Sequence, residues 1–350
     1  MTRFQVDALP IGALGAPTNL DEHLLEWDAI ARRNMDVGTF TGTLDINPGC
    51  CAALAQVPAY HSLLRVTERA TGCVLWEGVI YANPLASGGT SREAGNVELL
   101  AYQYSPQWIK WRVMHDTIDT TTTPRDGCLV AADIIVSALR IDDPGVLDHL
   151  VIIPGAEAVS ITAKLGKSAW TALGQIVPSQ VTIGVHGRRL IIAPAGACIG
   201  DLGMFDATMF EGDWVLQQGG DDAYYTSAWV SGKDDLLVNV GGTVAGVLIE
   251  TEITDTNLVD EAAAIAAGAA KVSANIPVRF LADGTESWLA CDADVDICRL
   301  ATGACLSMTA NSCGINVSAG MVLDQVRFAR QDGEDRVGVS LTDKRTSTGN

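Results

Sequence analysis

The residues of this 350-residue chain with the most chemical potential by type and spacing are acids and thiols. Asp292, Asp294 and Asp296 reproduce the Asp-x-Asp-x-Asp opening of a calcium loop, in which carboxylates supply hard oxygen ligands. Such a loop needs glycine at its sixth position and glutamate at its twelfth. Ile297 and Gly303 stand there instead, so the match fails twice. On a strand the three aspartates would share one face, which predicts a solvent-facing acidic strip, with a cation site as the alternative. The nine cysteines are Cys50, Cys51, Cys73, Cys128, Cys198, Cys291, Cys298, Cys305 and Cys313, with no Cys-x-x-Cys among them. The last four are spaced seven, seven and eight apart, wider than the usual pairing of zinc ligands. Their odd number and wide spread predict buried free thiols and no disulfide framework, with metal binding as the alternative.

Other nucleophile and acid–base patterns are thin. His23, His61, His115, His149 and His186 are each isolated, and His186 is placed in a hairpin turn. Pairs such as Glu26 and Asp28 arise by chance among 42 carboxylates, and the cleft separation a glycosidase requires is not a property of sequence. Trp108 and Trp111 could stack on sugars or bases, but three residues apart on a helix they read as core anchors. His-Glu-x-x-His, Gly-x-Ser-x-Gly, Gly-x4-Gly-Lys-Ser/Thr and Gly-x-Gly-x-x-Gly do not occur. No catalytic residue, cofactor or metal is therefore assigned.

The elements that carry these residues read as β-rich. With 48% hydrophobic and 19% charged residues the chain collapses, and its length suits two or three domains. A formal charge of −19 opposes binding to nucleic acid or to an anionic membrane. The first thirty residues carry one early cation, Arg3, and their apolar stretches are broken by Pro10, Gly12, Gly15 and Pro17, so no export signal is expected. The apolar run Ala262–Ala270 is too short to span a bilayer, and no membrane insertion is expected.

Strands are predicted at His61–Glu68, Val74–Tyr81, Asn96–Tyr104, Asp235–Val240, Val244–Ile253, Ile276–Leu281, Val322–Ala329 and Arg336–Leu341. A hairpin joins Val181–Val185 to Arg188–Ala193 through His186-Gly187, where glycine supplies a positive φ. Four helices are predicted. One runs from Ser105-Pro106 to about Met114, and one starts at Thr123-Pro124 with Leu129, Ala132, Val136 and Leu139 as its inward stripe. A third runs from near Ser168 to Pro178, and a fourth covers about Asn257–Lys271. Between Asp201 and Glu261 thirteen acids face a single base, Lys233; a solvated anionic surface is the plain reading.

The succession of segments has its own character. It runs from Val74-Leu-Trp-Glu-Gly-Val-Ile80 and Val97-Glu-Leu-Leu-Ala-Tyr102 to the Ser-Pro helix with Trp108 and then a capped helix. Ser168-Ala-Trp-Thr-Ala-Leu173 leads into Val181–Ile192, and Asp234-Asp-Leu-Leu-Val-Asn-Val240 follows later. From about residue 30 to the end this order resembles the minor tail proteins of long-tailed phages of actinobacteria, specifically the baseplate or tail-tip hub family. The resemblance implies a mainly β fold with α+β insertions, made of tail-tube-like β-barrel domains plus smaller peripheral domains. Residues 1–105 would form a first barrel domain completed by later strands, and 106–195 an α+β peripheral domain. Residues 196–256 would be a β-rich acidic segment returning to the barrel layer, and 257–350 a C-terminal helix plus β domain.

The resemblance further implies a structural, non-enzymatic virion protein at the tail tip, assembled in the host cytoplasm. It would form a homotrimeric ring whose six barrels match a hexameric tube, beside other tail-tip, distal tail and tape-measure proteins. DNA would pass only transiently through the lumen. A closed ring lets neighbours cover one another's sheet edges, and an acidic lumen repels DNA from its wall. Asp213, Asp221, Asp222, Asp234 and Asp235 are the candidate channel-facing acids. The alternatives are a distal tail or receptor-binding protein with an exposed aromatic sugar-binding groove and, third, a tail-associated hydrolase. Cys50-Cys51 and the late cysteines depart from the pattern, and the end at Asn350 leaves no long fibre or lytic domain.

Overall fold

Alternation of apolar and polar side chains along the first hundred residues builds the first part of one large sheet. A computed structural model describes residues 2–11, 16–45, 48–82, 97–211, 216–218, 225–243, 248–255, 258, 260–273, 280–282, 287–312 and 315–343. It divides into a larger unit, Met1–Trp214 with Gly284–Gly349, and a smaller one, Val215–Asp283. The larger unit opens with β1 (Phe4–Pro10), β2 (Thr18–Asn19), β3 (Leu24–Arg32), β4 (Thr39–Leu44), helix α1 (Pro48–Leu54), β5 (Ser62–Glu68), β6 (Val74–Ala82) and β7 (Val97–Gln103). An α/β layer follows, with α2 (Tyr104–Lys110), β8 (Ile118–Asp119), β9 (Arg125–Asp126), α3 (Gly127–Leu139), β10 (Leu150–Ile152), β11 (Ala158–Val159), β12 (Thr162–Ala163), α4 (Ala169–Leu173), β13 (Val181–His186) and β14 (Arg189–Pro194). β15 (Asp201–Asp206) returns to the large sheet.

The smaller unit holds β16 (Leu216–Gln218), β17 (Ser227–Ser231), β18 (Leu237–Gly241), β19 (Glu250–Thr254), α5 (Glu261–Ser273) and β20 (Phe280–Ala282). The chain then completes the larger unit with β21 (Ser287–Trp288), β22 (Cys305–Ser312), β23 (Ile315–Gln331) and β24 (Glu334–Asp343). The large sheet runs β15-β22-β23-β3-β4-β7-β6-β5-β1-β2, with β24 branching from β23 to pair with β21. The long β23 joins its parts: it pairs with β22 at its start and with β3 from Gln325 to Arg330.

This sheet curls back on itself. Four strands separate β1 from β3 along the path, yet Phe4 on β1 touches Trp27 on β3 and Phe328 on β23, with ring centroids 5.8 and 5.9 Å apart. Phe40 and Trp76 continue the aromatic row, each edge or offset contact adding to the area it buries. Where rings fill the interior, space is short. A methyl group added at Gly78 would lie 2.1 Å from the Trp76 ring, so only glycine fits beneath that indole.

The predicted strands at His61–Glu68, Val74–Tyr81 and Asn96–Tyr104 correspond to β5, β6 and β7, and the fold is mainly β as expected. The hairpin turn is displaced by one residue: His186 closes β13 opposite Arg189, and Gly187-Arg188 make the turn with Gly187 at φ 56°. α2 stops at Lys110, short of Met114. α3 begins at Gly127, where the Asp126 carboxylate accepts from the Cys128 amide at 2.8 Å; Asp126, not Thr123, is the cap. Its predicted stripe is half right: Ala132 and Leu139 are buried as expected, but Leu129 and Val136 are exposed, and Cys128, Val130, Ala131, Ile134, Ile135 and Ala138 are buried instead. In so apolar a helix the period fixes the spacing of buried positions but not their phase, and α2, α4 and β14 enclose the opposite arc. α4 starts after Ser168, which caps it, as expected, but it ends at Leu173, short of Pro178. α5 starts at Glu261, later than Asn257. The predicted strand Val244–Ile253 is realised only as Glu250–Thr254, its residues 244–247 lying outside the described set, as does most of Ile276–Leu281.

The cysteine expectation is overturned. Cys73 bonds to Cys298 and Cys198 to Cys305, across 225 and 107 residues. Pairing at such range leaves no spacing signal, because the sheet, not the local chain, brings the Cα atoms to 6.1 and 5.2 Å. Cys50 and Cys128 are buried as predicted and lie outside these two bridges, whereas Cys51 and Cys291 are exposed, and Cys313 lies outside the described residues.

Candidate functional site

Of the five acids proposed for a channel, Asp213, Asp221 and Asp222 lie outside the described residues. Asp234 and Asp235 sit together in the turn between β17 and β18, exposed, with φ of 56° and 61°. The Leu236 amide donates to the Lys233 carbonyl at 3.2 Å across them, the two-residue turn with both φ positive that suits a twisted hairpin. Aspartate tolerates that left-handed backbone better than most side chains, which gives this pair a local reason to be acidic. Asp292, Asp294 and Asp296 do not form a strand. All three are exposed, and Asp296 caps the short helical turn Ile297–Arg299 by accepting from the Cys298 amide.

Most buried charge serves closure. On β23, Val326, Phe328 and Arg330 share an inward parity, and Arg330 is only 5% exposed. Its guanidinium reaches Asp335 at 2.7 Å and Asp21 at 2.8 Å. The second oxygen of Asp335 accepts from the Phe4 amide at 2.9 Å, so one ion cluster ties β1 to the β23–β24 hairpin where the sheet rolls closed. Arg69 adds a further contact to Asp21 at 2.6 Å. Burial works against the charge of Arg330, but hydrogen bonds and charge from Asp335 and Asp21 outweigh it and raise its pKa. The signal for this cluster was an arginine at the inward parity of an otherwise apolar strand.

A second cluster joins the sheet to the α/β layer. Glu77 on β6, 1% exposed, is held by Arg65 at 2.9 Å and Arg188 at 2.5 Å. Arg188 also lies over the Tyr104 ring at 4.8 Å, and the Tyr104 hydroxyl donates to the Pro144 carbonyl. Burial pushes the Tyr104 phenol up to about 12, so it stays a neutral donor. Beside the first disulfide, Glu68 accepts from Thr71 at 2.7 Å and from Arg3 at 3.2 Å. Glu68, Cys73 and Cys298 are the one grouping of metal-type ligands among the described residues, and its two sulfurs are joined to each other. Among the described late cysteines, Cys298 and Cys305 are spent in bridges and Cys291 is exposed, so they are not gathered into a cluster.

The polar hollow of about 390 Å³ beside α3 offers little acid–base chemistry. Its Asp133 is paired with Arg125 at 2.8 Å and its Asp116 with Arg140 at 2.5 Å. Hydrogen bonds from Thr121 hold Asp119 below the usual carboxylate range, and those of Thr208 do the same for Asp206 elsewhere. A general acid working near neutral pH needs the opposite shift. Trp108 packs edge-on to Tyr104 and Trp111, as a core anchor should. Trp111 instead is exposed and meets Tyr60, which in turn meets Tyr81 at 5.5 Å.

The rolled sheet, its α/β layer and the inserted small unit make up an architecture found in other proteins. No protein-family model matches the sequence, and no curated protein matches it. Among solved structures, it is similar to a tail protein from Neisseria meningitidis MC58 at a TM-score of 0.59 and 13% identity, over 99% of this chain and 98% of that one. It is also similar to the 43 kDa tail protein of prophage MuSo2 from Shewanella oneidensis, at a TM-score of 0.61 and 9% identity over 99% and 100% of the two chains. A prophage tail protein from Listeria monocytogenes EGD-e follows, at 0.50 and 10% over 96% and 94%. The chain thus has the fold of phage tail proteins, end to end. A likeness to actinobacteriophage proteins in particular is not among these findings.

Proposed function

We propose that this protein is a structural component of a phage tail tip: a baseplate hub that closes into a homotrimeric ring, joins the tail tube to the tip and forms part of the DNA ejection channel. The observation that carries the reading is the extent of the fold match, which covers at least 98% of this chain and of two separate tail proteins with no large segment left over. In this reading other tail-tip, distal tail and tape-measure proteins are its neighbours. Assembly takes place in the host cytoplasm, and the acids from Asp213 to Asp235 face the lumen, where like charge keeps DNA off the wall. Native mass spectrometry tests it: three copies of 36.8 kDa give 110.4 kDa. A stable monomer or a hexamer would refute the hub.

The exposed Tyr60, Tyr81 and Trp111 favour a second reading, a distal tail or receptor-binding protein that stacks sugar rings on that aromatic patch. That reading predicts a six-fold assembly and binding to host cell-wall glycan that Trp111→Ala abolishes.

A further inference from the structure

The three-stranded sheet of the smaller unit has one face covered and one bare. α5 covers the first, where Ala228, Val230 and Ala264 are fully buried and Gly268 comes so close that an added methyl would lie 2.8 Å from Val240. Strand parity sends Trp229, Leu237, Asn239, Glu250 and Glu252 to the other face, and all five are exposed. The pairing is direct: Trp229 stands between Asn239 on β18 and Glu252 on β19, and Glu250, opposite Ser227, lies two pairs along.

The Trp229 indole N–H donates to Glu250 Oε1 at 2.8 Å, which fixes the ring while leaving 42% of the residue exposed. Glu252 accepts from the Thr254 hydroxyl at 3.3 Å. Neither carboxylate has a cationic partner among the described residues, and Leu237, 62% exposed, completes a shallow hollow of about 500 Å³. The surrounding residues 215–283 carry ten acids against three bases. A fixed aromatic ring beside two carboxylates of β19 that have no cationic partner among the described residues, with an apolar side chain next to it, is complementary to a cation on an aliphatic stem.

We propose that this face docks a basic segment of another protein, laying an arginine or lysine side chain against Trp229 between Glu250 and Glu252. The excess negative charge repels DNA and acidic surfaces, so the occupant is a basic polypeptide. Arginine suits the site best, since its planar guanidinium stacks on indole and still donates to both carboxylates. The inference rests on this sheet alone, so a monomeric protein would sink the hub reading and leave this one intact.

The test uses the full chain and a fluorescein-labelled (Arg-Ser)4 peptide, followed by anisotropy at low and moderate salt, with (Glu-Ser)4 as the opposite-charge probe. Saturable binding of the arginine peptide alone is expected. Trp229→Ala and Glu252→Gln should each weaken it about threefold to fivefold, the size of one partly exposed cation–π or charge-assisted contact. Trp229→Phe should keep most of the binding, showing that the unit still folds. Asp292→Asn with Asp294→Asn, exposed acids of the other unit, should change nothing. Equal binding by all variants would mean unspecific charge attraction and overturn the proposal, as would the absence of saturable binding.

Discussion

Removing the Cys198–Cys305 bridge by replacing both residues with serine should destabilise the larger unit by about 4 kcal/mol. The bridge closes 107 residues, and a loop of roughly 100 residues restrains the unfolded chain by about 4.7 kcal/mol. Cys73–Cys298 spans most of the same stretch and already shortens the open path, which lowers the figure slightly. Urea unfolding of the air-oxidised protein, followed by tryptophan fluorescence, gives the assay, because Trp27 and Trp76 are buried in the rolled sheet. With a urea dependence of about 3 kcal/mol per molar, the midpoint should fall by about 1.3 M. Reducing the unmodified protein should lower it further, since both bridges then open. Thiol titration in denaturant provides the direct count: nine cysteines less the four in bridges leave at most five reactive groups. Nine reactive thiols, or a midpoint indifferent to the serine pair, would refute the reasoning.

Three further outcomes are expected. Arg330→Met leaves Asp335 buried without its cation and Asp21 with Arg69 alone, and should cost about 3 kcal/mol in the same unfolding assay; an unchanged midpoint would mean the roll closes without this cluster. Gly184→Ala places a methyl 2.1 Å from the Thr302 carbonyl oxygen and should cost about 1–3 kcal/mol, whereas Gly200→Ala, with its nearest neighbour at 3.8 Å, should be silent by comparison. Burial, aided by the charge of Arg189, lowers the pKa of His186 below its ordinary 6.5, so the unfolded chain takes up that proton more readily. Its contribution is complete above about pH 6.5 and is lost as the pH falls toward the folded value. His186→Asn should therefore flatten the acid side of the stability profile, and identical profiles for variant and wild type would dismiss the effect.

Local patterning was readable where strands alternate and helices are capped by short polar residues. β5, β6, β7, α4 and the β13–β14 hairpin follow from their own residues, because parity, Ser168 and Gly187 act within a few positions of the chain. The pair Asp234-Asp235 was likewise visible, although what it contributes locally is a turn. The phase of α3 was not readable, since nearly every residue is apolar and the burying arc is chosen by neighbours.

What the sequence by itself determined is therefore the mainly β class, the acidic surface and the order of segments, all set by interactions a few residues long or by composition alone. Tertiary structure decided the rest. Two disulfides over 225 and 107 residues, an ion cluster joining Phe4 to Asp335, and an exposed Trp229 framed by carboxylates from another strand all depend on registers between distant strands. Such contacts leave no trace in local spacing because the free energy that selects them, burial of the shared sheet interior, is defined only once the strands are paired.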